Sequence, residues 1–273
     1  GLYYKKNLTL TALDKSKFYD GTALSSSGLS DLNPAYSVDL KAGDKLVAIG
    51  YDGSQTNAGS SATTPKLANI SNALGADRTN FYHITYQAGN LRVDQQPVVV
   101  VINGEKKSKI YDGNAEAVGY KMEIRDTSDL YKKTDIHFNG SSSEQSVKKK
   151  DAGIYPLLLN NRFTNTNQNF QVDFLISDGE LRIDIRQLTI TSDSASKDYD
   201  GSELRADNIT VSVPAGADYT GFVDGEGVAP TFLGGRPTEP GFMPNRFTYQ
   251  PKDGTNLDNY ELDIQFGQLK VKE

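Results

Sequence analysis

One short sequence occurs three times in this chain, and it constrains the fold more than any other feature. The pattern Ser-Lys-x-Tyr-Asp-Gly occupies residues 16–21, 108–113 and 196–201. These copies lie at nearly even intervals along the 273 residues. Motifs spaced in this way are typical of tandem structural repeats, in which each repeat is one folding unit. The sequence therefore predicts several small domains in a row rather than one large domain.

A second pattern closes each repeat and supports the same interpretation. Large apolar residues alternate with polar ones on both sides of Gly89, Gly179 and Gly267. Alternation with a period of two is typical of β-strands that bury one face. A glycine between two such runs favours the positive φ angle of a tight turn. We therefore expect a β-hairpin at the end of every repeat.

The junctions between repeats contain no flexible linker. First strands are expected at residues 8–11, 98–101 and 188–191, only a few residues after the preceding closing strand. Strand running almost directly into strand leaves little freedom, which indicates a semi-rigid row. The predicted domains are residues 1–95, 96–186 and 187–273.

Weaker echoes recur inside the repeats. An asparagine stands shortly before each closing pattern, at Asn80, Asn169 and Asn259. Mid-repeat, the sequences at residues 57–59, 151–153 and 239–241 are Asn-Ala-Gly, Asp-Ala-Gly and Glu-Pro-Gly. The segments before them differ in length, and residues 225–241 form a Gly/Pro-rich insert. Fixed ends with variable middles are typical of surface loops on a common scaffold.

The composition favours an all-β fold. The chain has 15 Tyr and 11 Phe, and it is rich in turn-forming Gly, Asn, Ser, Thr and Asp. Aromatic and β-branched residues suit short, half-buried strands. We expect three small immunoglobulin-like β-sandwich domains in an elongated row. The alternative is a β-grasp arrangement, in which residues 66–74 form the helix of the first repeat.

The hexapeptide itself is best interpreted as a structural motif. Asp-Gly is a strong turn signal, and the tyrosine ring can cover the end of a sandwich while its hydroxyl finds a backbone partner. The residues assigned to this motif are Lys17, Tyr19, Asp20, Gly21, Lys109, Tyr111, Asp112, Gly113, Lys197, Tyr199, Asp200 and Gly201. A calcium site at the three aspartates is not favoured, because each copy supplies one carboxylate where calcium takes six to eight oxygens.

Other functional residues are sparse. There is no cysteine, and the two histidines, His83 and His137, lie in different repeats. Nothing in the chain matches a nucleophile elbow, a zinc-protease helix or a phosphate-binding loop. A net charge of −6 argues against a nucleic-acid partner, and no apolar run is long enough to span a membrane. We therefore expect a monomer that is not an enzyme, binds no cofactor or metal and makes no membrane contact.

The repeated residues resemble a known type of domain. The Lys-x-Tyr-Asp-Gly opening, the Gly-x-Gln-x-Asn-Ala-Gly of residues 53–59 and the closing alternating strands are similar to the MBG and YDG families. Those families are tandem repeats of large bacterial cell-surface and secreted proteins, many of them adhesin-like. The resemblance covers the whole chain and is best in the first repeat. It implies an extracellular location, and it carries over no catalytic residue.

Two functions remain as hypotheses. The first is a structural stalk or spacer that projects an adhesive or other module from a bacterial surface. The alternative is an adhesin segment that itself binds a host glycan or matrix protein through its variable loops, where tyrosines can stack on sugars. A lysine–asparagine crosslink, which occurs in some cysteine-free surface domains, is a further hypothesis for the ends of the repeats.

Overall fold

The structure, a computed structural model, describes residues 4–233 and 237–273. In those ranges the chain consists of short β-strands, six 3-10 helices and connecting turns, with no α-helix. The prediction of an all-β fold is therefore confirmed.

The first repeat contains six of the described strands. They are β1 (Lys6–Thr11), β2 (Lys15–Phe18), β3 (Lys45–Asp52), β4 (Gly59–Ser71), β5 (Tyr82–Gln87) and β6 (Gly89–Asp94). Its 3-10 helices are η1 (Leu29–Asp31), η2 (Pro34–Asp39) and η3 (Thr79–Phe81).

The second repeat is divided into shorter strands. They are β7 (Gln96–Gly104), β8 (Lys106–Ile110), β9 (Glu116–Val118), β10 (Tyr120–Arg125), β11 (Ile136–Phe138), β12 (Val147–Lys149), β13 (Gly153–Pro156), β14 (Phe163–Asn165), β15 (Phe170–Ser177) and β16 (Glu180–Asp184). Its 3-10 helices are η4 (Lys133–Asp135) and η5 (Ser142–Gln145).

The third repeat begins with a strand that follows β16 almost directly. Its strands are β17 (Arg186–Ser192), β18 (Ala195–Asp198), β19 (Ile209–Ser212), β20 (Val228–Phe232), β21 (Gly241–Pro244), β22 (Phe247–Pro251), β23 (Tyr260–Gln265) and β24 (Gln268–Lys272). Its 3-10 helix is η6 (Leu257–Asn259).

The chain divides into two compact units. The first comprises Gly1–Ile102, Met122–Asn139 and Asn160–Ile176. The second comprises Asn103–Lys121, Gly140–Leu159 and Ser177–Glu273. The middle repeat therefore contributes segments to both units, and the division into three domains stays a prediction.

In the first repeat, the opening strands β1 and β2 pair in parallel with the closing strands β5 and β6. The first pair belongs to one sheet and the second pair to another. β1 pairs with β5, and Lys6 lies opposite Tyr82. β2 pairs with β6 in a second sheet of order β2-β6-β4-β3. Because β5 and β6 belong to different sheets, they do not form the predicted hairpin.

The third repeat has the same crossing of parallel strands. β17 pairs with β23, with Arg186 opposite Tyr260, and β18 pairs with β24. The sheet orders there are β19-β17-β23, β18-β24-β21 and β20-β22. In the middle repeat they are β10-β7-β15, β13-β16-β8, β11-β14 and β12-β9. The hairpin prediction is wrong for all three repeats, since each pair of closing strands is split between sheets.

Close backbone approach explains the glycine between the closing strands. A Cβ atom at Gly89 would lie 2.6 Å from the carbonyl oxygen of Ala12, and one at Gly267 would lie 2.5 Å from that of Ser192. Neither glycine has a positive φ angle. Glycine is needed at this position because the closing segment passes close to the opening segment at the point where each moves from one sheet to the other. A side chain would not fit there.

The predicted helix of the β-grasp alternative is a strand. Residues 66–71 continue β4, which pairs antiparallel with β3, and the register between them shifts at two places. Leu67 has a φ angle of 53° and is exposed, while Ile70 is fully buried. Such irregularities break the period-two pattern, so the apolar residues fall at a spacing that imitates a helix. The prediction of a helix was wrong, and the β-grasp alternative loses its basis.

The insert of residues 225–241 is only partly a loop. β20 lies inside it and pairs antiparallel with β22. Val228, its first residue, is buried. Residues 234–236, which belong to the same insert, lie outside the described residues.

Small apolar cores hold each unit. In the first unit one cluster of buried residues, most of them on neighbouring strands, contains Leu8, Leu10, Leu32, Leu46, Ala68, Ile70 and Tyr82. In the second unit one cluster contains Ile190, Val228 and Phe247, and another contains Leu204, Leu269 and Val271. The alternating apolar residues of the closing strands thus face the cores, as their period predicts.

Candidate functional site

The three hexapeptides form the same turn. In each copy the aspartate Oδ1 accepts a hydrogen bond from the backbone N–H two residues later, with lengths of 2.9 Å at Asp20, Asp112 and Asp200. The following glycines have φ angles of 79°, 81° and 75°. The Asp-Gly pair therefore makes the tight left-handed turn that its sequence indicates.

The motif lysine fastens this turn from the strand before it. Lys17 Nζ lies 2.8 Å from both Asp20 Oδ1 and the carbonyl oxygen of Thr22. Lys109 and Lys197 repeat the same two contacts in their own copies. Each amine thus bonds to an aspartate and a carbonyl oxygen, which gives no support at these positions to the lysine–asparagine crosslink.

These contacts lower the pKa values of the aspartates. The hydrogen bond from Lys17, followed by those from Thr22, holds the pKa of Asp20 far below its usual value. The bonds from Lys197 and Ser202 do the same for the pKa of Asp200. Burial works in the opposite direction at Asp112, but hydrogen bonds to its carboxylate still lower its pKa overall. The turns therefore hold ionised carboxylates at neutral pH.

The motif tyrosines differ in their surroundings, and this difference indicates what the motif contacts. Tyr19 packs edge-on against Phe170, with ring centroids 5.4 Å apart, and Tyr111 packs edge-on against Tyr260 at 5.5 Å. Each partner is the first residue of a strand near the end of the following repeat. Tyr199, the motif tyrosine of repeat 3, is 50% exposed, whereas Tyr111 is 3% exposed. The motif therefore forms the junction with the next repeat.

The junction of repeats 1 and 2 lies within the first unit and is completed by an asparagine. Asn169 Oδ1 accepts a 2.8 Å hydrogen bond from the backbone N–H of Ala58, and its Nδ2 donates to Asn57 Oδ1 at 3.2 Å. The turn glycine Gly21 faces Leu130, since a Cβ added there would lie 3.7 Å from Cδ1. The hexapeptide and the mid-repeat Asn-Ala-Gly thus both contact the next repeat.

The junction of repeats 2 and 3 lies within the second unit and has the same plan. Asn259, only 1% exposed, accepts a 2.8 Å hydrogen bond from the Ala152 N–H and donates to Asp151 Oδ1 at 3.1 Å. A Cβ added to Gly113 would lie 2.8 Å from Val223. Corresponding residues therefore make corresponding contacts at both junctions.

Charged groups strengthen the second junction. The Tyr111 hydroxyl donates to the Glu226 carboxylate, 3.0 and 2.9 Å from its two oxygens. Burial, and then this carboxylate, raise the pKa of Tyr111, so the hydroxyl keeps its proton. Arg186 donates to the carbonyl oxygens of Tyr111 at 3.1 Å and Gly221 at 2.7 Å, and its guanidinium lies over the Tyr219 ring. The tyrosine hydroxyl therefore has a carboxylate partner here instead of the predicted backbone partner.

The asparagine that precedes the closing strands occupies the same structural position in repeats 2 and 3, but not in repeat 1. The strand registers place Lys6 opposite Tyr82 and Arg186 opposite Tyr260. The residue just before Tyr82 is Phe81, so Phe81 takes the position of Asn259, and Asn80 is one place earlier and exposed. Glu226 and Arg186, by contrast, carried no repeated sequence signal. Glu226 lies in a loop of repeat 3, and Arg186 is the first residue of β17.

The other candidate groups show no clustering in the described ranges. His83 and His137 are exposed on β5 and β11. Within residues 4–233 and 237–273, no group of three or more His, Cys, Asp or Glu side chains is arranged to hold a metal ion. The same residues include no helix with the length and apolar character that crossing a membrane requires.

Comparison with known proteins assigns no family. No family model matches the chain, and a search of curated proteins also finds no match. The resemblance to MBG and YDG repeats therefore stays a prediction from the sequence.

Proposed function

We propose that this chain is a non-catalytic spacer of a bacterial cell-surface or secreted protein, in which successive repeats are fixed to one another so that another module is projected. The observation that carries the proposal is the recurrence of one junction. At both junctions a motif tyrosine meets an aromatic ring, and an alanine N–H meets an asparagine side chain.

Such junctions suit a spacer because they restrict bending. Each combines a ring contact with directional hydrogen bonds, and no glycine–serine linker separates the strands on either side. Ring pairs and buried hydrogen bonds have preferred geometries, so a hinge motion would break several of them together. A spacer needs this stiffness, whereas an enzyme would need convergent reactive groups.

The location is proposed from other evidence. A cysteine-free chain fits export by a bacterium, and the MBG and YDG resemblance implies an extracellular protein. An antibody raised against the chain should label intact cells of the source bacterium or its culture medium. Labelling only after the cells are lysed would contradict this location.

The adhesin alternative has less support. It drew on the abundant tyrosines, yet Tyr82, Tyr111, Tyr131 and Tyr260 are buried. The variable insert also supplies β20 to a sheet, so it is less available as a binding loop. A glycan or matrix-protein partner stays a prediction, and binding to immobilised glycans and matrix proteins would test it.

Distance measurement between spin labels tests the spacer. The absence of cysteine allows labels to be placed uniquely by Val47→Cys and Thr248→Cys, both at exposed positions of repeats 1 and 3. A narrow distance distribution at about 20 µM is expected, and Asn259→Ala should broaden it. A broad distribution in the otherwise unchanged chain would overturn the proposal.

Small-angle X-ray scattering gives an independent test. A single globule of this length would have a radius of gyration of ~18 Å, whereas a rod of three domains would exceed ~30 Å. A spacer requires the larger value. The smaller value would contradict an extended spacer. It would instead favour domains that fold against one another and could form a shared binding cleft.

A further inference from the structure

The opening and closing strands of a repeat run in the same direction, and this determines how the repeat responds to a pull along the chain. In repeat 3, β17 pairs in parallel with β23 over six residue pairs, and β18 pairs with β24 over four. In repeat 1, β1 with β5 and β2 with β6 form ladders of the same lengths. In repeat 2, β8 pairs in parallel with β16 over five residue pairs. The segment that enters a repeat is therefore bonded along its length to the segment that leaves it.

Parallel pairing places the two points at which tension acts at opposite ends of the ladders. The chain enters repeat 3 at the amino end of β17 and leaves it at the carboxyl end of β24. A pull along the chain would therefore slide the two segments past each other. The hydrogen bonds of a parallel ladder are evenly spaced between the strands, so sliding strains all of them together. The strands of a hairpin would instead be peeled apart from one end, one bond after another.

The hexapeptide lengthens the second ladder in every repeat. The backbone N–H of the motif tyrosine donates to the carbonyl oxygen of the last residue of the closing strand, at 2.8 Å in repeats 1 and 2 and at 2.9 Å in repeat 3. The donor and acceptor pairs are Tyr19 and Asp94, Tyr111 and Asp184, and Tyr199 and Lys272. The Asp-Gly turn follows at once, and the motif lysine fastens it. The end of the opening segment is thus anchored as well as paired.

Side chains couple the two segments where they cross in repeat 3. The hydroxyl of Ser192, which is buried, accepts a 3.0 Å hydrogen bond from the Gly267 N–H and donates to the carbonyl oxygen of Asn245 at 2.6 Å. The hydroxyl of Ser194 accepts a 2.9 Å hydrogen bond from the Gln268 N–H. Sliding of one segment would break these bonds together with those of the ladders.

Buried side chains oppose the same motion. Leu188 and Ile190 of β17 are fully buried, as are Leu8 and Leu10 of β1. An opening strand could slide only if these side chains left their places in a closely packed core. The resistance therefore comes from hydrogen bonds and core packing that must yield at the same time.

We propose that each repeat is a clamp against tension along the chain, formed by its parallel opening and closing segments. The strand registers of repeats 1 and 3 carry this inference. It rests on the proposed spacer function, because a spacer is pulled when the module that it projects is held. Only Gln95 or Ile185 separates a closing strand from the next opening strand. Tension would therefore pass from one clamp directly into the next.

Pulling single molecules of the full chain in two directions tests the proposal. The chain has no cysteine, so two introduced cysteines define where the handles attach. Gln187→Cys with Lys270→Cys pulls along the ladders of repeat 3. Gln187→Cys with Glu261→Cys pulls the amino ends of β17 and β23 apart, since these two residues lie opposite each other. All three positions are exposed. At one loading rate, the first pair should need at least about threefold more force than the second, because its bonds are strained together.

Repeat 1 provides a matched second comparison. Asn7→Cys with Arg92→Cys pulls along its ladders, and Asn7→Cys with His83→Cys pulls opposite residues of β1 and β5 apart. These positions are also exposed, and the same ratio of forces is expected. Thermal unfolding without attached handles should be the same for both variants of a repeat. A difference in force then reports the direction of the pull, because forced unfolding follows the unfolding rate rather than the equilibrium stability.

Equal forces in the two directions, or a larger force for pulling opposite residues apart, would overturn the clamp. This failure is distinguishable from failure of the spacer, because the spin-label distances and the scattering are measured without tension. An extended chain with narrow distances but no directional resistance would remain a spacer without clamps. Broad distances with a high force ratio would reject the spacer, although each repeat would still resist sliding.

Discussion

The hydroxyl of Tyr111 donates a hydrogen bond to the carboxylate of Glu226, although 115 residues separate them in the chain. The tyrosine belongs to the hexapeptide of repeat 2 and the glutamate to a loop of repeat 3. The bond shows what the repeated motif does in the fold. Its Lys and Asp fasten a local turn, and its Tyr reaches across the junction.

Removing this hydroxyl should weaken the second junction. Tyr111 is 3% exposed, and Tyr111→Phe removes the hydrogen bond that its hydroxyl donates to the half-buried Glu226 carboxylate. A loss of about 1–2 kcal/mol is expected in urea unfolding followed by circular dichroism. Tyr199→Phe is the matched control, since it changes the same motif position where the ring is 50% exposed. Equal losses in both variants would show that the hydroxyl acts within its own repeat.

The asparagine at the junction should matter as much as the tyrosine. Asn259→Ala removes the acceptor of the Ala152 N–H and the donor to Asp151 at a position that is 1% exposed. We expect a destabilisation of about 1–3 kcal/mol, because a buried N–H loses its partner. The exposed Asn80→Ala should change stability by less than about 0.5 kcal/mol. If the two variants behaved alike, the echo in sequence would not mark the junction.

How far the sequence predicts this fold depends on the range of each interaction. Strand positions follow from the local alternation of apolar residues, and the Asp-Gly turns follow from local backbone preference. The pairing of strands does not follow from local sequence. An alternation with a period of two indicates which residues face a core, but not which strand lies alongside. The parallel pairing of β5 with β1 therefore could not be derived, and Gly89 was assigned to a hairpin that does not exist.

The junctions show the same division. The hexapeptides and Asn169 and Asn259 could be found because they recur. Glu226 and Arg186 could not, because nothing in the sequence says that they face Tyr111 from 115 and 75 residues away. Phe81 shows the opposite error. In the sequence Asn80 looks equivalent to Asn259, but the strand registers show that Phe81 holds that position and that Asn80 lies one residue earlier.

The glycine between the closing strands gives a test of the crossing. Gly267→Ala would place a Cβ atom 2.5 Å from the carbonyl oxygen of Ser192, which the backbone can relieve only by moving apart. A loss of about 2 kcal/mol or more is expected. At Gly221 the nearest atom would be 3.8 Å away, so Gly221→Ala should be nearly neutral. Thermal unfolding of the two variants measures the difference, and a neutral Gly267→Ala would mean that the strands do not approach as described.

Acid should weaken the turns in a specific pH range. The bonds from Lys17 and Lys197 lower the folded-state pKa of Asp20 and Asp200, so the folded chain binds these protons more weakly than the unfolded chain. The stabilisation is complete above the unfolded value of about 3.9 and is lost as pH falls through the lower folded values. At pH 7 the double variant Asp20→Asn/Asp200→Asn should have a lower urea midpoint than the original chain. That gap should narrow as pH falls from about 4 to 2. A gap that stayed constant from pH 7 to 2 would show that the ionised carboxylates do not stabilise the turns.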